Sequence, residues 1–413
     1  KLELLRKWDC NVPTLRFDFD GIWNKIHLYE ITNKVSRKAP VNSTAPIRMI
    51  SYGNGFILQS DKYSHDNAGE SLKKYTLLKK GEMAYNHGAS KNKKYGVCYS
   101  LKESDEARIP FVYHAFQINR GLPAFWNYAL NISQIDKQLK KLVSSGARMD
   151  GLLNISYDDY MSISVYEPCV DEQAKISAFL SVIDKRIAVQ NKIISKYETL
   201  IKGLKHQLYT KKIRFYSHSE ISFPKWEKKQ LGEILSISTE KNGSRYSKEK
   251  ILSVSDEYGV VNQIRLQGKS FAGQDISNYK VVKSGQIIYT RSPLAAKPFG
   301  IIKIVGVETG IVSPLYIVNT VKKGNDALFI YYLFDSPEST NNYLKPLVRA
   351  GAKHTMNISN DEWLSGTVTV PCLEEQEMIA EFLESIDKKI SFEKKILEKL
   401  REQKTYLLSE MFI

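Results

Sequence analysis

The sequence predicts an α+β protein in which two similar α/β domains, related by a pseudo-twofold axis, are joined by two long antiparallel coiled-coil helices. Three observations lead to this fold class. The chain repeats itself at an offset of about 203 residues, each copy begins with short β-like runs, and each copy ends in a heptad pattern. At 413 residues the chain exceeds one ordinary core, so two or three domains are expected.

The internal repeat is clearest in the segment before each predicted helix. Residues 168–173 read PCVDEQ and residues 371–376 read PCLEEQ, while Trp23 returns as Trp226. Further matched pairs are Asn154 and Asn357, Tyr160 and Trp363, Tyr75 and Tyr279, Gly81 and Gly285, Tyr85 and Tyr289, and Gly96 and Gly300. The last four pairs have slipped by one residue, as diverged copies do in loop-rich regions. Because one register holds over so much of the chain, the sequence predicts a duplication.

The first part of each copy, about 145 residues long, alternates short β-like runs with turn residues. The runs are bounded by clusters of Gly, Asn, Asp and Ser, as strands are. They include residues 75–78, 96–99, 286–289 and 300–305. Helical patches at residues 123–129 and 330–334 interrupt them, so this part is predicted to be α+β.

The second part of each copy predicts one long helix, from about residue 172 to 212 and again from about 375 to 411. Apolar residues follow two interleaved seven-residue series, with Lys, Glu and Gln outside them. This sustained pattern favours a coiled coil over a surface helix on a globular core. The residues expected to pair the helices are Ile176, Leu180, Ile183, Ile187, Ile194, Leu204, Ile379, Leu383, Ile386, Ile390, Leu397 and Leu407.

Gln190 and Glu393 fall at equivalent positions of this apolar seam. A polar residue inside a coiled coil can fix the register of the helices at some cost in stability, or it can be a plain polar defect. The sequence leaves both roles open.

The connections between the parts predict a closed path. If the two helices pair with each other, they run antiparallel and the C-terminus returns beside the first domain. Residues 14–17 (TLRF) echo residues 212–215 (KIRF), so the N-terminal leader is the counterpart of the segment after the first helix. The predicted segments are a first domain with leader (1–167), a central helical spacer (168–213), a second domain (214–370) and a C-terminal helical spacer (371–413).

The composition limits the function classes. A formal charge of +15 and a pI near 9.3 favour a polyanionic partner, since a basic surface neutralises phosphates and releases counterions. Charge alone does not decide the partner, because net charge also serves solubility. The four cysteines (Cys10, Cys98, Cys169 and Cys372) are too scattered for a disulfide framework and form no Cys-x-x-Cys zinc pair.

The chain also shows no sign of membrane insertion or export. No apolar run approaches the ~20 residues that cross a bilayer, and the N-terminus has no signal-peptide pattern. We therefore expect a cytoplasmic protein without a membrane partner. The chain begins at Lys1 rather than Met, which leaves a short preceding leader open.

A search for catalytic motifs indicates that the chain is not a self-contained enzyme. A phosphate-binding Gly-x-x-x-x-Gly-Lys-Ser/Thr loop, an Asn/Asp-Pro-Pro-aromatic methyltransferase signature and His-x-x-x-His metal spacing are all absent from the sequence. Gly53-Asn-Gly55 lacks a third glycine and is better explained as a turn. No catalytic residue and no metal ligand are therefore predicted.

The repeated motifs and predicted helices together resemble the specificity subunit of type I restriction–modification enzymes. The resemblance rests on a Trp-x-x-x-x-Leu-x-Glu-Ile opening from Trp226 to Ile234, a variable domain, and Pro-x-x-x-Glu-Gln running into a coiled-coil helix. These marks occur twice and cover essentially the whole chain. The first copy departs from the pattern in one place, with Tyr29 where the second copy has Gly232.

The resemblance implies two target recognition domains, each reading one half of a split double-stranded DNA site. The helices would space these domains and dock two modification subunits, which bind S-adenosylmethionine and methylate adenine. Motor-nuclease restriction subunits, which use ATP with magnesium, would join to cleave unmethylated DNA. All cofactors would then reside in the partners. From the residues themselves, two similar but non-identical readers imply an asymmetric bipartite site.

Candidate DNA contacts lie in basic and polar loops placed equivalently in the two copies. Arg291 is the best candidate for reading a base, because a guanidinium can bond guanine O6 and N7 together, and Asn86 could pair adenine similarly. Lysines more often meet phosphates, and the alternative is that all these residues are solvated loop positions. The candidates are Asn86, His87, Lys91, Lys93, Lys94, Tyr95, Arg148, Tyr289, Thr290, Arg291, Lys297, Lys353 and His354.

Two roles compete for the matched residues Tyr85 and Tyr289. They could stack beside an extruded base, since adenine methylation within a duplex requires base flipping. They could equally be aromatic residues of the strand core, and the core role is favoured.

Two other classes of protein fit part of the pattern. A stand-alone DNA-binding regulator would bind its operator tightly without partners, whereas a specificity subunit should bind weakly until its partner covers the helices. A coiled-coil structural protein with incidental basicity would not need duplicated globular domains.

Overall fold

The computed structural model describes residues 2–4, 12–40, 42–62, 74–88, 90, 93–143, 153–216, 222–294, 297–306, 308–350 and 356–413. The chain folds into two compact units. The first domain comprises residues 1–192 and 394–413, and the second comprises residues 193–393. Each long helix is therefore shared between the two domains, whereas the sequence suggested helical spacers separate from both.

The first domain contains strands β1 to β12 and helices α1 to α3. The strands are Leu2–Leu4, Leu15–Phe17, Asn24–His27, Thr32–Lys34, Arg48–Ser51, Gly55–Leu58, Thr76–Lys79, Met83–Asn86, Val97–Ser100, Glu106–Ile109, His114–Ile118 and Ser164–Glu167. The helices are Pro123–Ala129, Ser133–Leu142 and Tyr157–Met161, followed by the long helix α4, Val170–Tyr209.

The second domain contains strands β13 to β24 and helices α5 to α9. The strands are Glu227–Gln230, Leu235–Ile237, Leu252–Ser255, Gly259–Asn262, Lys280–Val282, Ile287–Tyr289, Ile302–Ile304, Gly310–Val312, Ile317–Val321, Arg349–Ala350, Met356–Asn357 and Thr367–Val370. The helices are Leu231–Ile234, Gln263–Gln267, Ala327–Phe334, Pro337–Leu344 and Asn360–Ser365, followed by the long helix α10, Leu373–Glu410.

The two domains share one strand order. A four-stranded antiparallel sheet has the order β4-β11-β8-β9 in the first domain and β14-β21-β18-β19 in the second. The smaller pairs match as well, with β3-β12, β5-β6 and β7-β10 corresponding to β13-β24, β15-β16 and β17-β20. The duplication in the sequence is thus a duplication of the fold.

An inner strand of each four-stranded sheet, β8 in the first domain and β18 in the second, is buried on both faces. In β8, Met83 and Tyr85 face one apolar core while Ala84 faces another. In β18, Tyr289 faces one core while Ile288 faces another. Because both faces are covered, these strands read as continuous apolar runs rather than as an alternation of apolar and polar residues.

The long helices α4 and α10 bury the predicted apolar seam. Of the residues expected to pair the helices, Ile176, Leu180, Ile183, Ile194, Ile379, Leu383, Ile390, Leu397 and Leu407 are buried, and Ile187, Leu204 and Ile386 are half-buried. The start of α4 shares a core with the end of α10 in the first domain, and the end of α4 shares a core with the start of α10 in the second. The helices therefore run antiparallel, and the predicted fold class is confirmed.

The ends of the helices also pack inside the domains. The sequence favoured a coiled coil over a helix on a globular core, and besides lying in the paired seam Ile176 and Leu180 pack in the same core as Trp23 and Phe116. Ile379 likewise packs with the sheet of the second domain. The apolar seam continues to the ends of the helices because residues of each domain core contact it there. A heptad pattern alone therefore could not distinguish pairing with another helix from packing on a domain core.

The Pro-x-x-x-Glu-Gln motif anchors the start of α4. Glu172 is fully buried and accepts two hydrogen bonds of 2.7 Å from the guanidinium of Arg16 in β2. Gln173 donates to the carbonyl of Pro168 at 2.9 Å and accepts from the amide of Leu122, next to α1, at 2.8 Å. The motif therefore ties the helix to the leader and to the domain.

The second copy repeats this anchor at α10. Arg214 donates to both carboxylate oxygens of the buried Glu375, at 3.0 and 2.6 Å. Gln376 donates to the carbonyl of Pro371 and accepts from the amide of Asp326, each at 2.9 Å. The echo between residues 14–17 and 212–215 thus has a structural meaning, since each segment supplies the arginine of one anchor.

Both polar residues of the seam are buried, Gln190 being 8% and Glu393 7% exposed. The Glu393 carboxylate lies 2.7 Å from the amine of Lys389, one turn earlier in α10. Burial agrees with a position inside the seam, and the register role stays a prediction.

Candidate nucleic-acid interface

Two equivalent loops carry most of the candidate DNA contacts. The first loop, residues 87–96, joins β8 to β9, and the second loop, residues 290–301, joins β18 to β19. Each loop is closed by a reciprocal pair of backbone hydrogen bonds, between Ser90 and Lys93 in the first and between Leu294 and Lys297 in the second. The two loops therefore have the same closure at matched positions.

Tyr85 forms the floor beneath the first loop. Its ring is 1% exposed and stacks on Tyr160 with centroids 3.9 Å apart and an angle of 7° between the planes. Its hydroxyl donates to the carbonyl of Tyr95 at 2.6 Å, and burial raises its pKa. Gly96 has φ 80°, and a Cβ there would lie 2.4 Å from the carbonyl oxygen of Asn86, so only glycine fits this close approach.

Tyr289 has the same role beneath the second loop. The ring is fully buried, stacks on Trp363 at 4.8 Å, and its hydroxyl donates to the carbonyl of Phe299 at 2.7 Å. The favoured core role therefore holds for both tyrosines in this structure. The candidate DNA contact at Tyr289 is corrected accordingly, because its side chain is enclosed by the core of the second domain.

Two lysines proposed to meet phosphates are buried instead. The amine of Lys93 is 2.5 Å from the Asp136 carboxylate, and the amine of Lys297 is 2.6 Å from that of Asp256. The two lysine side chains are 8% and 4% exposed. Their expected placement on a solvated surface is corrected, because an ion pair inside the domain compensates the cost of burying each charge.

Arg291 occupies an unusual setting in the second loop. Its backbone is left-handed, with φ 58°, which is uncommon for a residue other than glycine. Its guanidinium donates to Asn360 Oδ1 at 3.4 Å, while its Nε is buried without a hydrogen-bond partner among the described residues. Burial lowers the pKa of Arg291, and burial together with the charge of Arg291 lowers that of Lys280. Within the described residues no ion pair compensates this arginine.

The first copy has Asn86 and His87 where the second copy has Thr290 and Arg291. Asn86 is half-buried and accepts from the amide of Gly88 at 3.0 Å. His87, expected to contact DNA, is 4% exposed, and its two ring nitrogens lie 2.7 and 2.8 Å from the carbonyls of Leu153 and Val112. The prediction of a surface histidine is therefore corrected. The ring holds neighbouring segments of backbone together.

The remaining candidates have mixed placements. Thr290 is buried and its hydroxyl accepts from the amides of Ser292 and Ile301, so its expected exposure is also corrected. Lys94 is exposed, and Tyr95 is half-buried against the first core. Lys91, Arg148, Lys353 and His354 lie outside the described residues.

Comparisons with known proteins relate the chain to one family of proteins. A family model described as the type I restriction modification DNA specificity domain matches residues 224–402. The type I restriction enzyme MjaVIII specificity subunit of Methanocaldococcus jannaschii is 26% identical over 290 residues, covering 66% of this chain and 67% of that protein. The putative MjaX specificity subunit of the same organism is 24% identical, covering 84% of this chain and 81% of that protein. The family model thus matches the second copy of the repeat, and both relatives are named as specificity subunits.

Solved structures are similar to this chain at the level of the fold. An S subunit of a type I restriction–modification system from M. genitalium matches with a TM-score of 0.57 at 15% identity, covering 97% of this chain and 99% of that one. A chain from a structure of type I complex assembly and conformational transition matches with a TM-score of 0.50 at 14% identity, covering 94% and 97%. The resemblance to specificity subunits that the motifs predicted is confirmed by these comparisons.

Residues that the sequence analysis did not single out lie beside the two loops. Asn360, at the start of α9, meets Arg291, and the matched position at the start of α3 holds Tyr157. Lys34 lies 4.5 Å from the centre of the Tyr157 ring. The signal for Asn360 was available, since it follows the repeated Asn-Ile-Ser segment directly.

The described residues contain neither a candidate metal cluster nor a candidate membrane span. In this part of the chain no group of three or more His, Cys, Asp or Glu side chains is arranged to hold a metal ion. No helix there combines the length and apolar character that a bilayer span requires.

Proposed function

We propose that this chain is a type I restriction–modification specificity subunit that reads an asymmetric, bipartite DNA site, with each domain contacting one half. The observation that carries the proposal is the loop built twice on one plan, with Asn86-His87 in one copy and Thr290-Arg291 in the other. Equivalent scaffolds with different side chains suit two different half-sites rather than a palindrome. The net charge of +15 supports a phosphate backbone as the common partner.

Within this proposal, Arg291 reads a base in the second half-site. A half-buried guanidinium whose terminal nitrogens make one hydrogen bond of 3.4 Å, with no ion pair among the described residues, has donors to offer a base edge. Asn86 is the corresponding candidate in the first half-site, and exposed Lys94 contacts a phosphate. Lys91, Arg148, Lys353 and His354 remain proposed contacts on the strength of their basic loop positions.

The long helices space the two domains and dock two modification subunits. Val189 on α4 and Phe392 on α10 occupy matched positions and are 55% and 56% exposed. An exposed large apolar side chain at the same place on each helix suits a partner of which two copies bind. S-adenosylmethionine is then held by the modification subunits, and ATP with magnesium by the restriction subunits, in the cytoplasm.

Mapping adenine methylation across the genome tests this function. The methylome is compared in the source strain with the gene intact, deleted, and restored on a plasmid. Deletion should abolish methylation at one split, two-part motif, and the restored gene should return it. An unchanged methylome in a strain with working modification subunits would overturn the proposal and favour a stand-alone DNA-binding regulator.

A further inference from the structure

Each loop contains one lysine whose amine points into the domain rather than toward solvent. Lys93 and Lys297 lie at matched positions, three residues before Gly96 and Gly300. Both side chains are less than a tenth exposed, and each forms an ion pair with an aspartate. A lysine is rarely buried in this way unless its charge is compensated, so the placement is specific.

The two lysines also share a backbone acceptor. The amine of Lys93 donates to the carbonyl of Asn131 at 3.0 Å, and that of Lys297 donates to the carbonyl of Asp335 at 3.3 Å. Asn131 follows α1 closely and Asp335 follows α7, and the two residues are matched in the repeat. The same tether between loop and helix end is therefore retained in both copies.

The carboxylates that pair with these lysines come from different elements. Asp136 belongs to α2, whereas Asp256 lies in the turn between β15 and β16. Asp256 also lies 3.2 Å from the amine of Lys303 in β19. The lysine is thus constant between the copies while its acidic partner has changed, which favours a role for the lysine itself.

We propose that Lys93 and Lys297 are positioning residues of the DNA-reading loops. Each lysine fixes its loop against the domain, so that the polar residues at the start of the loop meet a base edge in one geometry. This inference rests on the proposed reading of DNA by the two domains. It differs from a phosphate contact, because the amine is already occupied inside the protein.

The first loop offers a matched pair of adjacent lysines for a test. Lys93→Met and Lys94→Met are compared in the full chain bound to its two modification subunits, on DNA with either half-site randomised. Lys93→Met should reduce discrimination among first half-site sequences about tenfold, as expected for partial loss of a bidentate base contact. Lys94→Met should leave that discrimination intact and reduce the slope of log affinity against log salt by about 1.

The aspartate supplies the decisive comparison. Asp136→Ala breaks the same tether but leaves the lysine in place. The positioning role predicts that Asp136→Ala loses first half-site discrimination as Lys93→Met does. If Lys93 contacts a phosphate instead, Asp136→Ala would release its amine and raise the affinity for all sequences, a result that would overturn the inference.

Selectivity at the second half-site is the internal control, because a variant that merely unfolds loses binding at both half-sites. Lys93→Arg, which keeps a donor and a charge, should restore most of the first half-site discrimination. If Lys93→Met does not fold, Asp136→Asn provides a milder break with the same expected loss. If the wild-type complex is selective and these tether variants discriminate among first half-site sequences equally well, the positioning role is refuted while the proposed function stands. A wild-type complex without sequence preference would refute the proposed function and the inference together.

Discussion

Arg291 combines features that a purely structural arginine does not need. Its left-handed backbone, with φ 58°, is strained by about 1–2 kcal/mol for a residue with a Cβ. Its Nε is buried without a partner among the described residues, which leaves a polar atom uncompensated. Strain and an unmet donor at one residue of a loop are typical of a site that a ligand completes.

Replacing Arg291 by alanine should therefore relax specificity rather than stability. The loss of a bidentate contact lowers discrimination at one base position of the second half-site by about 1–3 kcal/mol. Arg291→Lys should not restore it, because an ammonium lacks the planar fork of donors. Competition binding on DNA with single-base changes measures the effect. Arg265→Ala, at an exposed arginine paired with Glu308, serves as control, and an equal loss at every base would contradict the reader role.

His114 places a titratable group in the sheet of the first domain. Its Nε2 lies 2.9 Å from the carbonyl of Ile155, its ring stacks on His87 at 4.9 Å, and the cation of Lys34 lies beside neighbouring Tyr157. Burial lowers the pKa of His114, partly opposed by the hydrogen bond to Ile155 and reinforced by the positive charge of its neighbours. The unfolded chain then binds more protons than the folded chain just below the ordinary histidine value.

The first domain should consequently lose stability as the pH falls. The contribution of His114 is fully present above its ordinary pKa of about 6.5 and is lost as the pH falls from there toward the lowered folded value. The second copy has Ile317 at the matched position, so His114→Ile removes the titrating group with a precedent in the same fold. Hydrogen exchange of β11 between pH 7.5 and 5 should show a shallower decline of stability in the variant. Equal slopes in both proteins would contradict this assignment.

Side-chain placement marks the limit of what the sequence could predict at this scale. The matched positions of the loops were predictable from the repeat alone. The burial of Lys93 and the exposure of Lys94 were not predictable, because these adjacent, identical residues differ only in the groups that surround them in the fold. Asp136, which buries Lys93, is 43 positions away in the chain, and such pairing depends on the folded arrangement.

The long helices begin at anchors built from distant segments of the chain. Arg16 and Glu172 are 156 positions apart, and their ion pair is more than nine-tenths buried on both sides. The hydrogen bond to Glu172 raises the pKa of Arg16, so the guanidinium stays charged. The corresponding Arg214 is 27% exposed, which lets water reach the second anchor.

Breaking the first anchor should destabilise the start of α4. Arg16→Met leaves the Glu172 carboxylate buried and unpaired, at a cost of about 3–5 kcal/mol. The double variant Arg16→Met/Glu172→Leu should lose much less, because no charge remains buried. Arg214→Met should cost less than Arg16→Met, since its anchor is partly solvated. Hydrogen exchange of the first turns of each helix measures all three, and a double variant as unstable as Arg16→Met would contradict this account.

Element boundaries followed from the sequence where local signals were strong. The helix predicted at residues 123–129 is α1, Pro123–Ala129, with its proline in the first turn. The patch at residues 330–334 is the end of α7, which begins at Ala327 because Asp326 caps it by accepting from the amide of Phe329. Helix α2 was not predicted, and it buries only Ile135 and Leu139.

At the scale of the whole chain, the repeat predicted the architecture better than any single motif did. Because the two copies are aligned at one offset, the repeat predicted that both domains have the same strand order. It also predicted that α4 and α10 begin at equivalent anchors. It could not show that each helix is divided between the domains, because the heptad pattern continues unchanged through the division near residue 193. The division has a consequence for binding, since the two loops belong to separate compact units.

Because the two loops lie in separate domains, we expect them to contribute independently to DNA binding. Asn86→Ala is expected to weaken discrimination only at the first half-site, and Arg291→Ala only at the second. Changes at distant sites without shared partners add to within about 0.5 kcal/mol, so the double variant should lose the sum of the two single effects. Equilibrium binding of the complex to DNA carrying both half-sites measures all four proteins of this cycle. A coupling energy above about 1 kcal/mol would show that occupation of one loop changes the other. In that case the shared helices would transmit the reading of each half-site as well as space the domains.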